Sequence, residues 1–334
     1  MAFGLPGGHD FCGFSIEEEL LCVKRLKIGY LMLGALPNAF KIPVNGYLWK
    51  RRRTIMHKRK GFTLIELLVV IAIVALLMAI LMPALQRVKR QAKATACQSN
   101  VRQWGLIFRL YADDNEGKLP QSIAWGGITA QRAYWIVATL SYYQDKKIRL
   151  CPSTKIVRAK ESHSHGGTLA AWGPFDTGGP DNWWEDFDTG SYGINEWCSC
   201  PPPGASSYWT FPTEKAWRRI DTKGANRIPL FMDCVYVDVY PLDTDEPLNF
   251  EPPPYEWSNG WGNWDVQAMR LVCIDRHSGG INSVFLDGSV DKIPLRALWK
   301  LKWHRQFDTA GKWTKAGGVQ PENWPQWMRK FKDN

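Results

Sequence analysis

Lys60-Gly61-Phe62-Thr63-Leu64-Ile65-Glu66, continued without a break by the apolar run Leu67 to Met82, is the stretch that decides how this chain is built. A basic hexapeptide, Met56-His57-Lys58-Arg59-Lys60-Gly61, meets a segment of 24 residues, Phe62 to Leu85, that holds one charge. As a helix rising about 1.5 Å per residue, the segment reaches about 36 Å, enough to cross a hydrocarbon core about 30 Å thick. It reads as a membrane span. Its one charge is Glu66. A carboxylate in such a run costs about 2.5–3.5 kcal/mol at the helix centre and less near an end. Either it has a partner, or it sits at the lipid interface as a solvated first-turn residue favoured by the helix dipole.

The string from Gly61 to Leu85, with its short basic leader, glycine, aromatic residue and glutamate, resembles the amino terminus of type IV prepilins and type II secretion pseudopilins. The resemblance implies that a prepilin peptidase cuts after Gly61 and methylates the new amine of Phe62. It also implies that Glu66 pairs with that amine on a neighbouring subunit. The implied fold is α+β and pilin-like: a long amino-terminal transmembrane helix packed on an antiparallel sheet, here with an enlarged, irregular, loop-rich head. The implied partners are other pseudopilin subunits, the peptidase and an inner-membrane assembly platform. Basic residues flank the span on both sides, Arg51 to Arg53 and Lys58 to Lys60 before it, Arg87 to Lys93 after it, so charge does not orient it. The resemblance places the leader in the cytoplasm and the head in the periplasm.

The chain divides into segments on this reading. Residues 1–55 are longer than a prepilin leader and read as an upstream extension or an unusually long leader. Residues 56–61 form the leader, 62–85 the transmembrane helix, 86–114 its exported half and 115–334 the head. Leu85, Val88, Ala92, Ala96, Ile107 and Tyr111 recur at helical spacing and mark an expected packing face. Pro83 predicts a kink, and Asp113 to Gly117 followed by Pro120 ends the helix.

The net charge of +10 belongs to the leader and helix: residues 111–334 hold 25 Lys/Arg against 27 Asp/Glu. Nucleic acid is therefore not an expected partner of the head. In the head, Ile228 to Tyr240, Ile281 to Leu286 and Ser289 to Ile293 read as strands, the last two joined by an Asp287-Gly288 hairpin turn. Punctuation between 166 and 204 reads as loops.

The head also carries a resemblance. Cys97 to Gln103, Tyr111 to Pro120 and Cys151-Pro152 are similar to pseudopilin-like proteins of planctomycete-type bacteria. So is His277, followed after nine residues by Asp287-Gly288. A catalytic reading pairs His277 with Asp287, or uses both as metal ligands. The structural alternative has Asp287 making its turn and His277 bonding the adjacent loop. No GxSxG, HExxH or P-loop is present, and a structural subunit rather than an enzyme is expected.

Related pseudopilins hold calcium near the end of the head, and Asp275, Asp287 and Asp291 are thin candidates for its ligands. No other cofactor is expected. Cys198-Ser199-Cys200 lacks zinc-ligand spacing, so a structural metal is not expected either. His163-Ser164-His165 reads as a solvated loop. Six cysteines lie beyond the span, at 97, 151, 198, 200, 234 and 273. Six allow 15 pairings. A Cys97–Cys151 bridge would close a loop of about 54 residues, with a chain-entropy gain on the order of 4 kcal/mol; two buried thiols are the alternative.

Sixteen of the 18 tryptophans lie beyond residue 110. Large aromatics mostly fill cores. Trp183, Trp184, Trp257, Trp261 and Trp264 sit in Gly/Pro/Asp loops, however, and suit sugar stacking. The second functional expectation is accordingly a membrane-anchored envelope protein with a glycan-binding or hydrolytic head, facing a glycan or a secreted substrate.

Overall fold

The computed structural model describes residues 62–121, 135–156, 166–173, 189–205, 207–208, 211–252, 254 and 268–332. The chain divides into two units, Met1–Phe62 and Thr63–Asn334, and the described helices and strands all belong to the second. The segment 1–55 and the leader 56–61 lie outside the described residues, as do His163 to His165 and the five loop tryptophans.

Helix α1 runs from Leu64 to Asp114, 51 residues with Pro83 inside it. It starts at Thr63, whose hydroxyl accepts the Glu66 amide, while the Glu66 carboxylate accepts the Thr63 amide. Two otherwise orphaned N–H groups of the first turn are thereby satisfied by two side chains. At the other end, the Asn115 side chain donates to the Tyr111 carbonyl at 2.7 Å and the Gly117 amide to that of Ala112 at 2.6 Å. Glu116 and Gly117 both have positive φ, so the chain turns away where the sequence expects.

From Leu64 to Gln91 every residue of the helix is exposed. The buried set is Cys97, Val101, Trp104, Gly105, Ile107, Phe108 and Ala112. This corrects the expected packing face. Of the six positions proposed from spacing, only Ile107 is buried, while Leu85, Val88, Ala92 and Ala96 are exposed. Those four stay exposed, and the head grips only the last third of the helix.

Among the described residues seven strands come after it: β1 Tyr192–Asn195, β2 Ser207–Tyr208, β3 Phe211–Pro212, β4 Pro229–Asp233, β5 Asp238–Val239, β6 Gly280–Phe285 and β7 Val290–Pro294. Five form one sheet in the order β5-β1-β4-β6-β7; β2 and β3 pair separately. Helix on sheet gives the expected α+β class, but the sheet is mixed, because β5 runs parallel to β1 while the other neighbours are antiparallel. The apolar run Ile228 to Tyr240 is not one strand. It breaks after Asp233 and returns as β5 on the far side of β1. Strand β1 itself falls in a stretch whose punctuation reads as loop. The β6–β7 hairpin forms at Asp287-Gly288, where Asp287 Oδ1 accepts both the amide and the hydroxyl of Ser289 and Gly288 takes φ 82°.

Both faces of the sheet are covered, which is why β4 and β6 are buried at every position. Toward the helix, Trp104 lies 4.9 Å from Phe231 and 5.2 Å from Trp135 between ring centroids. Tilted and edge-on pairs of this kind add about 0.5–1.5 kcal/mol beyond their burial. The opposite face packs against the chain from Ala268 onward, with Leu298, Trp299, Trp303, Trp324 and Met328 buried against Met232, Ile281 and Phe285. Six of the described tryptophans, Trp104, Trp135, Trp172, Trp197, Trp303 and Trp324, are thus fully buried core residues.

Candidate functional site

Two regions of the chain carry chemistry. The first is the start of α1. Phe62 is exposed, and Glu66 Oε2 accepts hydrogen bonds from the amide and hydroxyl of Thr63, each at 2.9 Å. The carboxylate is therefore held over the first turn, beside Phe62 in the chain. Gly61 lies outside the described residues.

The second is a buried polar cluster where the helix enters the head. Cys97 is the first buried residue of α1. Cys151 comes just after the 3-10 turn Lys146–Arg149, its amide bonded to the Ser191 hydroxyl and its carbonyl closing a turn with Thr154. Asp233 ends β4, on the same face as Phe231. His277 precedes β6 in a tight turn: Asp275 accepts the Gly279 amide at 2.6 Å, the His277 amide donates to Gly280, and Ser278 and Gly279 take positive φ. That turn sends Arg276 and His277 into the interior rather than to solvent.

There the donor atoms of Cys97, Cys151, Asp233 and His277 all lie within 4.8 Å of one another. His277 Nε2 is 3.4 Å from Cys151 Sγ and 3.1 Å from Asp233 Oδ2. Cys97 Sγ is 3.5 Å from the same oxygen. Around them, the Tyr192 hydroxyl donates to Cys97 Sγ at 3.3 Å, the Ser153 amide to Cys151 Sγ at 3.4 Å and the Asn282 amide to Asp233 Oδ2 at 2.8 Å. Arg276 is fully buried and pairs with Asp233 Oδ1 at 3.2 Å; its remaining donors go to the carbonyls of Gly167, Thr168, Ser191 and Cys234.

The electrostatics are set by this packing. Burial alone would raise the Asp233 carboxyl, but His277 and Arg276 outweigh it and hold it at about 2. Burial would lower His277, yet Asp233 beside it raises it to about 9. For Cys97, burial dominates and Asp233 adds to it, so the thiol is pushed well up. Cys151 suffers the same burial, but hydrogen bonds with Cys97 and His277, together with Arg276, bring it down to about 6. Cys151 is thus the thiol that ionises first.

This arrangement is not that of a nucleophile with a relayed base. Such a relay needs the orienting carboxylate on one ring nitrogen and the nucleophile on the other; here one nitrogen, Nε2, faces both. Cys151 is moreover buried. A cleft of about 560 Å³ adjoins the cluster, lined by Arg87, Arg90, Lys93 and Lys292 with Arg276 and His277 at its floor.

Of the residues to which the sequence points, Cys97 and Cys151 are brought together, and both are unbridged. His277 and Asp287 do not meet: they flank opposite ends of β6, and Asp287 is engaged in the hairpin turn with Gly288. Asp275, Asp287 and Asp291 serve separate local turns and contacts. Among the described residues, the group disposed to hold a metal ion is Cys97, Cys151, Asp233 and His277 instead. No motif points to Asp233, Arg276 or Tyr192. Asp233 interrupts the apolar run Ile228 to Tyr240, and a charge in a strand buried on both faces is the one signal that betrays it.

Residues 56–82 match the family described as the prokaryotic N-terminal methylation motif. No curated protein and no solved structure matches the chain. One helix among the described residues, Leu64–Asp114, is long and apolar enough to cross a membrane, and together with the motif it fits a single-pass membrane anchor. The methylation motif, which runs into the exposed half of that helix, supports a type IV pilin-like protein.

Proposed function

We propose that the chain is a subunit of a type II secretion pseudopilus or a related pilus-like fibre, anchored in the inner membrane with its head in the periplasm. The observation that carries this reading is the motif at 56–82 on a helix whose first 28 residues are bare of the head. An apolar helical surface of that length is satisfied by lipid before assembly and by neighbouring helices afterward. A prepilin peptidase removes the leader after Gly61 and methylates Phe62. Glu66 then pairs with the Phe62 amine of another subunit, and the growing bundle of helices moves exported protein.

Mass spectrometry of the mature amino terminus tests the proposal. A chain that begins at N-methylated Phe62 in the parent, and remains unprocessed in Gly61→Val, is expected. A mature protein that still carries Lys58 to Gly61 overturns it.

A further inference from the structure

We infer that Cys97, Cys151, Asp233 and His277 form a closed, four-ligand zinc site that fixes the amino-terminal helix to the head. Three observations converge on it. The first is composition. Two sulfurs, an imidazole nitrogen and a carboxylate oxygen form a borderline-soft donor set, which suits zinc and is wrong for calcium or magnesium. The second is geometry. With metal bonds of about 2.3 Å to sulfur and about 2.0–2.2 Å to nitrogen and oxygen, a tetrahedral site has ligand-to-ligand edges of roughly 3.3–3.8 Å. The edges here are 3.4 Å from Cys151 to His277, 3.1 Å from His277 to Asp233 and 3.5 Å from Cys97 to Asp233, and no pair of donors exceeds 4.8 Å. A dication at the centre needs only small adjustments of the side chains.

The third is the surroundings. Each sulfur accepts a hydrogen bond from outside the set, Cys97 from Tyr192 and Cys151 from the Ser153 amide, and Asp233 accepts from Arg276 and the Asn282 amide. Outer partners of this sort orient ligands and lower the cost of their negative charge. The charges also balance. Two thiolates and one carboxylate against a dication and the buried Arg276 sum to zero, which suits a site with this little access to water. On binding, the two thiols and His277 Nε2 give up the protons they hold, and no redox step is involved. His277 and Arg276 also line the cleft, so the cluster adjoins an opening at the protein surface.

All four positions are protein ligands, so the site has no open coordination position and its role is structural. It joins the helix, the Cys-Pro turn, the end of β4 and the turn before β6. These segments are distant in sequence, and unfolding would have to release the ion to separate them.

The full chain, purified in detergent with its metal content preserved, is the test material. Elemental analysis is expected to give one zinc per chain. Replacement by cobalt(II) is expected to give the intense visible spectrum of a tetrahedral site with a sulfur-to-cobalt charge-transfer band. Cys97→Ser or Cys151→Ser should cut that band by about half, and the double variant should abolish it; Cys198→Ser and Cys273→Ser, at buried thiols outside the cluster, should leave it unchanged. A chelator should lower the thermal midpoint of the parent and leave that of the double variant in place. A folded parent that takes up neither zinc nor cobalt overturns the inference, as does a mass two hydrogens lighter that maps to a Cys97–Cys151 disulfide. Neither readout depends on fibre assembly, so it stands or falls apart from the proposed function.

Discussion

The Glu66 carboxylate closes onto the amide and hydroxyl of Thr63, three residues earlier in its own chain, at 2.9 Å each. Before assembly the one charge of the apolar run is therefore held by the helix's own first turn, and the cost of carrying it into the membrane is reduced without a second subunit. The proposed pairing with an amine on a neighbour would have to compete with this bond.

That competition separates two substitutions. Glu66→Gln keeps the reciprocal cap, since Gln serves at the third position of a capping box as Glu does, but it has no charge to offer an amine. Glu66→Val loses both. Both variants are expected to insert in the membrane, and both are expected to be poorly incorporated into the fibre, as read by crosslinking in membrane fractions. Parent-like assembly of Glu66→Gln would assign the residue to capping alone.

Gly105 is the contact point between helix and hairpin. A Cβ there would stand 2.7 Å from Val284 Cγ2 and 3.9 Å from the Gly288 Cα. Helix propensity favours Gly105→Ala by about 1 kcal/mol, but the overlap with a β-branched side chain in a packed core costs about 1–3 kcal/mol. We expect net destabilisation in urea unfolding followed by tryptophan fluorescence, larger for Gly105→Leu. A stabilised alanine variant would mean that the hairpin yields at no cost.

Arg276 is committed to Asp233 and four carbonyls, all buried. Truncation to Leu leaves the Asp233 charge with His277 as its one cationic partner and orphans those carbonyls, and breaking a buried pair from one side typically costs about 3–5 kcal/mol. Arg276→Lys should restore little, since an ammonium cannot reproduce the planar fork. Thermal unfolding checks both, and a parent-like midpoint for either contradicts the assignment.

Asp245 makes stability depend on pH. Burial pushes its carboxyl up to about 6 from the ordinary 3.8, against hydrogen bonds from the Met269 and Leu242 amides and the charge of Arg270. The folded chain then binds the proton more tightly than the unfolded chain. The stabilising contribution is complete below about 3.8 and is lost as pH rises through about 6. Two units correspond to on the order of 3 kcal/mol. Asp245→Asn should therefore gain on the parent between pH 4 and pH 7, and a pH-independent difference would show that Asp245 is not the group that titrates.

The anchor was legible because it is local: an unbroken apolar run with one charge, Glu66, follows from bilayer energetics, whereas the roles of Gly61 and Phe62 came from a resemblance alone. The hairpin was legible for the same reason, Asp287-Gly288 between two β-branched runs. The packing face of the helix was misread because an apolar stripe that meets lipid and one that meets a head look alike in spacing. Leu85 and Val88 stay exposed, whereas Trp104 and Phe108 are packed into the head. Strand β1 was hidden because four residues, Tyr192 to Asn195, are too few for a period to show, and their place in the sheet is supplied by β4 and β5. The cluster at Cys97, Cys151, Asp233 and His277 was hidden more deeply. Each residue comes from a different segment, so no spacing rule joins them until the sheet and helix are assembled.

The helix leaves the head at Cys97, and in the proposed fibre this would set where mechanical load enters the subunit. Tension drawn along the axis is shared as shear by every contact from Cys97 to Ala112. A sideways force on the bare half acts as a lever and peels the helix from one end, so the first bonds to bear it are those at the exit. These are Asn282 to the Ala94 carbonyl, Gln98 to Asn282, Asn100 to the Leu150 carbonyl, and Cys97 within its cluster. The most densely bonded polar region along the helix stands at the fulcrum, where resistance to peeling is decided.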